Sequence, residues 1–167
     1  MLKDVIEYLP ESIRSVLIPY IENTNITNSI EEIRIRSNGN LSVKNGQETI
    51  SIFDKVTKND IQEIFENICE NSIYSYTKQI SEGFITIKGG NRVGLVGTAV
   101  IENDKVINLN DISSLNFRIA REIKDSSIPV LKYILDLENN SIFNTLIISA
   151  PRMWKNNNYK RFSKKNI

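Results

Sequence analysis

The order of helix and strand signals along the 167-residue chain predicts an α+β fold, with a mostly antiparallel sheet and helices on one side of it, followed by the opening helix and strand of an α/β domain. Three observations carry that expectation. Polar and apolar residues alternate at 32–36 and 115–121, the mark of half-buried strands; Asn-Gly pairs at 38–39 and 45–46 mark tight hairpins; and apolar residues at helical spacing mark helices at the start and in the middle of the chain.

Taken in order, Val5, Leu9, Ile13, Val16 and Leu17 predict a short helical pair interrupted at Pro10. In the strand at 32–36, Ile33 and Ile35 point inward and Arg34 and Arg36 outward. Leu41, Val43, Ile50 and Ile52 around the Asn-Gly turns extend this into a meander of short strands. Thr57 with Asp60 three residues on resembles a capping box, and Ile61, Ile64, Phe65 and Ile68 form one face of the helix that follows, with Cys69 as a core residue. A second helix is predicted over 72–82, stopped by Gly83. Residues 84–87, the Lys88-Gly89-Gly90 turn and a long strand over 92–101 form a hairpin. Asn103-Asp104 turns the chain into a short strand at 105–107, and a last strand spans Leu115 to Arg121.

After Lys124 the pattern changes. Ser126 and Ser127 are candidate caps, Pro129 suits the first turn of a helix over 130–137, and the apolar run Asn144 to Ala150 reads as the buried strand of a parallel sheet. The expected domains are therefore 1–125, the α+β domain; 126–150, the start of an α/β domain; and 151–167, a basic tail.

Composition narrows the chemistry. With 40% hydrophobic and 25% charged residues the chain is ordinary globular material. Neither a secretory signal nor an apolar run long enough to span a membrane is present in it, so a cytoplasmic location is expected. The sequence has no histidine and a single cysteine, which excludes an internal disulfide, the usual zinc constellations, and Ser/His or Cys/His nucleophile pairs. No metal site is expected and no carboxylate pair stands out as acid and base. The net charge of +1 hides an asymmetry, since every acidic residue precedes Pro151 and residues 151–167 carry basic charges only.

Three blocks, Glu31 to Arg36, Gly83 to Gly97 and Asp111 to Glu122, together resemble the stage III sporulation protein AA family, in order and spacing, over residues 1 to 150. The layout is also similar to the PAS-like amino-terminal domain of secretion and pilus-retraction ATPases. The resemblance implies a sporulation ATPase acting in a channel between mother cell and forespore, on the mother-cell side, using ATP and magnesium. It further implies a homo-oligomeric ring, other channel proteins as partners, and no specific nucleic acid.

In that family the strand ending at Ser149, Ala150 and Pro151 leads into a P-loop, whose amides and lysine hold nucleotide phosphates. Here it leads into Arg152-Met153-Trp154, and Ser149 stands where the motif usually begins with glycine. Met153-Trp154 can only be encoded ATG-TGG, which one base out of register forces Cys-Gly; with suitable codons the shifted frame reads Pro-Gly-Cys-Gly-Lys-Thr-Thr. The expectation is that 152–167 is translated out of frame, that the RecA-like domain is truncated, and that the chain as given does not hydrolyse ATP. The competing expectation is a stand-alone binding module, its basic tail recruiting an acidic partner or nucleic acid.

Among polar residues, Arg34, Arg36, Arg92, Arg118 and Arg121 sit on strands where forked donors can reach phosphates, or where they simply form a solvated sheet face. The resemblance implies contact with a nucleotide across a subunit boundary for Arg92 and Arg118. Gly89, Gly90, Gly94 and Gly97 are read as turn and close strand packing, because no helix N-terminus follows them to bind an anion.

Overall fold

The computed structural model describes every residue except 1, 25, 28, 47, 121–127, 137, 140 and 147–167. It divides into two units, residues 1–120 and 121–167, where the sequence placed a boundary at 125.

The first unit is the predicted α+β fold. Its strands are β1 (Ile30–Arg36), β2 (Gly39–Asn45), β3 (Glu48–Val56), β4 (Phe84–Thr86), β5 (Arg92–Glu102) and β6 (Lys105–Arg118). They form one six-stranded sheet in the order β3-β2-β1-β6-β5-β4, with every pairing antiparallel. The central pair, β1 with β6, joins the two meanders through Glu32↔Arg118, Arg34↔Asn116 and Arg36↔Ser114. The helices are α1 (Leu2–Ile6), α2 (Glu11–Thr24), α3 (Lys58–Ile68) and α4 (Thr77–Ser81).

One hydrophobic cluster joins sheet and helices: Ile33, Ile35, Leu41, Val43, Val93, Leu115 and Phe117 from the strands meet Val5, Leu9, Ile13, Leu17, Ile61, Ile64 and Ile80. Each such side chain contributes about 1.5–3 kcal/mol when fully buried, so this face carries the stability of the unit. The period of two decides it, because on β1 Ile33 and Ile35 are fully buried while Arg34 and Arg36 are exposed.

Local chemistry fixes the helix ends. The predicted capping box is present: Asp60 N donates to Thr57 Oγ1 at 3.1 Å and Thr57 N donates to Asp60 Oδ2 at 2.7 Å. Ser12 Oγ donates to Asp60 Oδ1 at 2.6 Å, which ties α2 to the start of α3. Burial pushes the Asp60 carboxyl up, and the hydrogen bonds from Ser12 and Thr57 more than reverse this, leaving it below its ordinary value. Cys69 is buried after α3, and burial pushes its thiol up to about 11. Gly83 stands at φ 80° after α4, the left-handed stop its position suggested.

The structure departs from the sequence expectations in several places. Residues 72–82 do not form one helix. A 3-10 turn, Ile73–Tyr76, precedes the short α4; Ile73 and Tyr74 are exposed and only Ile80 is buried, so no continuous apolar face holds the segment as one helix. The separate strands at 105–107 and 115–121 are one continuous β6 ending at Arg118. Its polar middle resembles a loop in sequence because that stretch belongs to a two-stranded extension of β5 and β6, which neither β1 nor β4 covers. The extra residues of β6 are absorbed opposite Gly97, where the register shifts and Asp111 takes φ 46°. A Cβ on Gly97 would stand 2.6 Å from the Asn110 carbonyl oxygen, so close backbone approach requires glycine there. The hairpin tip, Asn103 at φ 49° and Asp104 at φ 59°, has the left-handed pair of a type I′ turn.

The second unit contains α5 (Ile128–Ile134) and a small antiparallel pair, β7 (Leu135–Asp136) with β8 (Ser141–Ile142). The helix is shorter than the expected 130–137 because its last residues turn into β7. Asp136 accepts from the backbone of Glu138 and Asn139 and from the Asn139 side chain, which closes this turn and holds its carboxyl below the ordinary value. Residues 144–146 form no strand and Leu146 is 82% exposed. The rest of the expected apolar strand and residues 151–167 lie outside the described residues.

Candidate functional site: the arginine-bearing sheet face

The face of the sheet opposite the helices collects the outward residues of each strand. Register places them in rows. One row runs Lys44, Glu32, Arg118, Arg92 and Thr86 across β2, β1, β6, β5 and β4; the next runs Ser42, Arg34, Asn116, Gly94 and Phe84. Arg92 and Arg118 are thus direct partners on adjacent strands, and antiparallel pairing holds their side chains side by side.

Glu32 is the anionic centre of the face. Its Oε2 accepts from Arg34 Nη2 at 2.6 Å and Arg34 Nε at 2.9 Å, and its Oε1 lies 3.8 Å from Arg118 Nε. Burial pushes this carboxyl up, but the hydrogen bond from Arg34 and the charges of Arg34, Lys44 and Arg118 outweigh that and leave it below the usual carboxylate range. Lys44 also approaches Glu31, at 3.9 Å. Arg92 lies over the Phe84 ring, 5.2 Å from its centroid, which holds the guanidinium on the face without neutralising it. Arg34, Arg36, Lys44, Arg92 and Arg118 together outnumber Glu31 and Glu32, so the face has a positive surplus suited to an oxyanion.

Of the residues singled out from sequence, the fold brings Arg34, Arg36, Arg92 and Arg118 onto one face, while Arg121, Ser149, Ala150 and Pro151 lie outside the described residues. Sequence reasoning missed Lys44 and Phe84, which cross-strand register alone adds. It also missed Asn91, fully buried, whose Nδ2 donates to Lys88 O at 2.8 Å and whose Oδ1 accepts from Ala120 N at 2.9 Å. Asn91 thereby ties the glycine turn before Arg92 to the backbone just beyond Arg118, and fixes the two arginine-bearing strand ends together. A polar residue between a glycine turn and an apolar strand was the available signal, but its partner is distant in sequence. Among the described residues no cluster of His, Cys, Asp or Glu could hold a metal ion, and no helix is long and apolar enough to cross a membrane.

The family described as "Sporulation stage III, protein AA" matches residues 2–163. Stage III sporulation protein AA of Bacillus subtilis (strain 168) is 35% identical over 154 residues, which cover 92% of this chain and 48% of that protein. The chain thus spans about half the length of this curated relative. Among solved structures it is similar to the VirB11 ATPase from the Brucella suis type IV secretion system, in complex with sulphate, at TM-score 0.42 and 9% identity, covering 83% of this chain and 39% of that one. That last likeness is too slight to carry weight, whereas the family match runs through all three sequence blocks and both described units: the chain belongs to the sporulation stage III protein AA family.

Proposed function

We propose that the chain is the amino-terminal part of a secretion-type sporulation ATPase, and that its arginine-bearing sheet face contacts nucleotide phosphates bound by the P-loop domain of a ring. The observation that carries this reading is the register pairing of Arg92 with Arg118, which presents two adjacent guanidiniums on the solvent face. Forked donors fixed to a rigid sheet suit phosphate oxygens better than flexible lysines do. In this reading the intact protein binds ATP and magnesium, assembles as a homo-oligomer, and works with other channel proteins on the mother-cell side of the forespore boundary.

The same reading holds that residues 152–167 are out of frame and that the chain as given hydrolyses no ATP. The support lies in the residues themselves: the sequence contains no Gly-x-x-x-x-Gly-Lys-Ser/Thr, the forced Cys-Gly of the shifted frame falls where that motif is needed, and acidic residues vanish after Pro151. Resequencing codon 152 tests the frame, and an uninterrupted gene encoding these same residues would overturn it. Function is tested by thermal unfolding with ATP and magnesium, for this chain and for a version restored in frame. A ligand at 100 times its Kd stabilises the folded state by about 2.7 kcal/mol, so with micromolar nucleotide, too dilute to fill a millimolar site, the restored protein is expected to melt higher and this chain is not. A response from neither would remove the ATPase reading.

A further inference from the structure

We propose that a second oxyanion site, separate from the Arg92 and Arg118 pair, lies in the shallow cavity lined by Arg34, Arg36, Asn40, Ser42, Ser114 and Asn116, and that its ligand is a phosphate group. The cavity, about 220 Å³, opens on the same face over β2, β1 and β6. That is below the range typical of drug-sized ligands and suits a small anion. Its lining contains two guanidiniums, two hydroxyls and two amides, and no carboxylate.

The two arginines are prepared differently. Arg34 is held by hydrogen bonds from Nε and Nη2 to a single oxygen of Glu32, Oε2, and its other amino group has no partner among the described residues. Arg36 has no acid partner among the described residues, and its stem lies against Gly39, where an added Cβ would stand 3.3 Å from Arg36 Cγ and Cδ. An arginine whose stem is packed and whose head is unpaired loses little freedom on binding an anion. Ser114 Oγ donates its proton to Ile35 O across the strand pair at 3.0 Å, so the anion's charge is met by the arginines and this hydroxyl can only accept from a P–OH. Asn116 lines the cavity and its buried Oδ1 has no hydrogen-bond partner; as an acceptor it is suited to the P–OH of a monoprotonated phosphate and not to a P–O⁻.

The cavity binds its anion whether or not Arg92 and Arg118 touch nucleotide. The test uses the full chain and side-chain NMR of the arginine Nε–H and asparagine amide groups, titrated with inorganic phosphate or AMP at constant ionic strength. The expected result is a saturable shift of the Arg34, Arg36 and Asn116 signals with a Kd of about 1 mM, weakened about tenfold in Arg36→Ala and unchanged in Lys105→Ala, which removes a positive charge at the far, exposed end of β6. Equal affinity for phosphate and AMP assigns the site to a bare phosphate group, and tighter AMP binding assigns it to a nucleotide; both support the proposal. Asn40→Asp, which puts a carboxylate on the rim, is expected to abolish binding and provides a second variant if Arg36→Ala does not fold. Shifts that fail to saturate, that sodium chloride reproduces, or that persist in both variants would overturn it.

Discussion

The inner and outer faces of the sheet alternate residue by residue along the same strands, yet they differ completely in chemistry. On β6, Leu115 and Phe117 are fully buried, whereas Ser114, Asn116 and Arg118, which flank and separate them, look outward. The inner face consists of groups that water rejects and contains almost no polar atoms. The outer face gathers guanidiniums around one shielded carboxylate, an arrangement that self-repulsion makes poor as a source of stability. The proposed reading assigns stability to one face and ligand chemistry to the other, and substitutions one position apart should separate the two.

The largest effect is expected from Phe117→Ala, which empties a fully buried aromatic position at the centre of the sheet. It should lower unfolding free energy by about 3–5 kcal/mol, read from denaturant midpoints. Asn91→Ala removes two part-buried hydrogen bonds and takes away the acceptor of Ala120 N, with an expected loss of about 1–3 kcal/mol and faster amide exchange at Ala120. Thr57→Ala removes the α3 cap and should cost about 1 kcal/mol. The smallest stability effect belongs to Arg118→Ala on the outer face, expected within about 0.5 kcal/mol of the parent. If Arg118→Ala destabilised as much as Phe117→Ala, the division between the faces would fail.

Acid sharpens the same comparison. The folded-state pKa of Glu32 is depressed, so its contribution is present above the ordinary carboxylate value and is lost as pH falls through the lower folded value. Glu32→Gln should therefore be less stable than the parent near neutrality, with the difference narrowing below about pH 4.5. A gap that is constant with pH would show that packing, not charge, is what Glu32 supplies.

Much of this was legible in the sequence where a single local rule decided the outcome. The Thr57 and Asp60 box, the Gly83 stop and the alternation of Ile33 and Ile35 with Arg34 and Arg36 each depend on neighbours only a few residues away. What was not legible depended on distant pairing. The polar middle of β6 is a strand because β5 runs beside it, with Gly97 permitting the backbone approach, and no periodicity within 108–113 reveals that. Likewise the arginines could be named from sequence as outward-facing. Their assembly into a face with Lys44 and Phe84, and the locking of two strand ends by Asn91, required the register across β1, β5 and β6.

The central claim, that the outer face serves the nucleotide and the inner face the fold, is tested most directly by ATP hydrolysis in the frame-restored protein carrying Arg92→Ala or Arg118→Ala. The expected result is a fall in hydrolysis of tenfold or more at an unchanged melting temperature, since a charge-assisted hydrogen bond to a phosphate oxygen is worth about 1.5–3 kcal/mol. Hydrolysis at the parent rate in both variants would contradict the account.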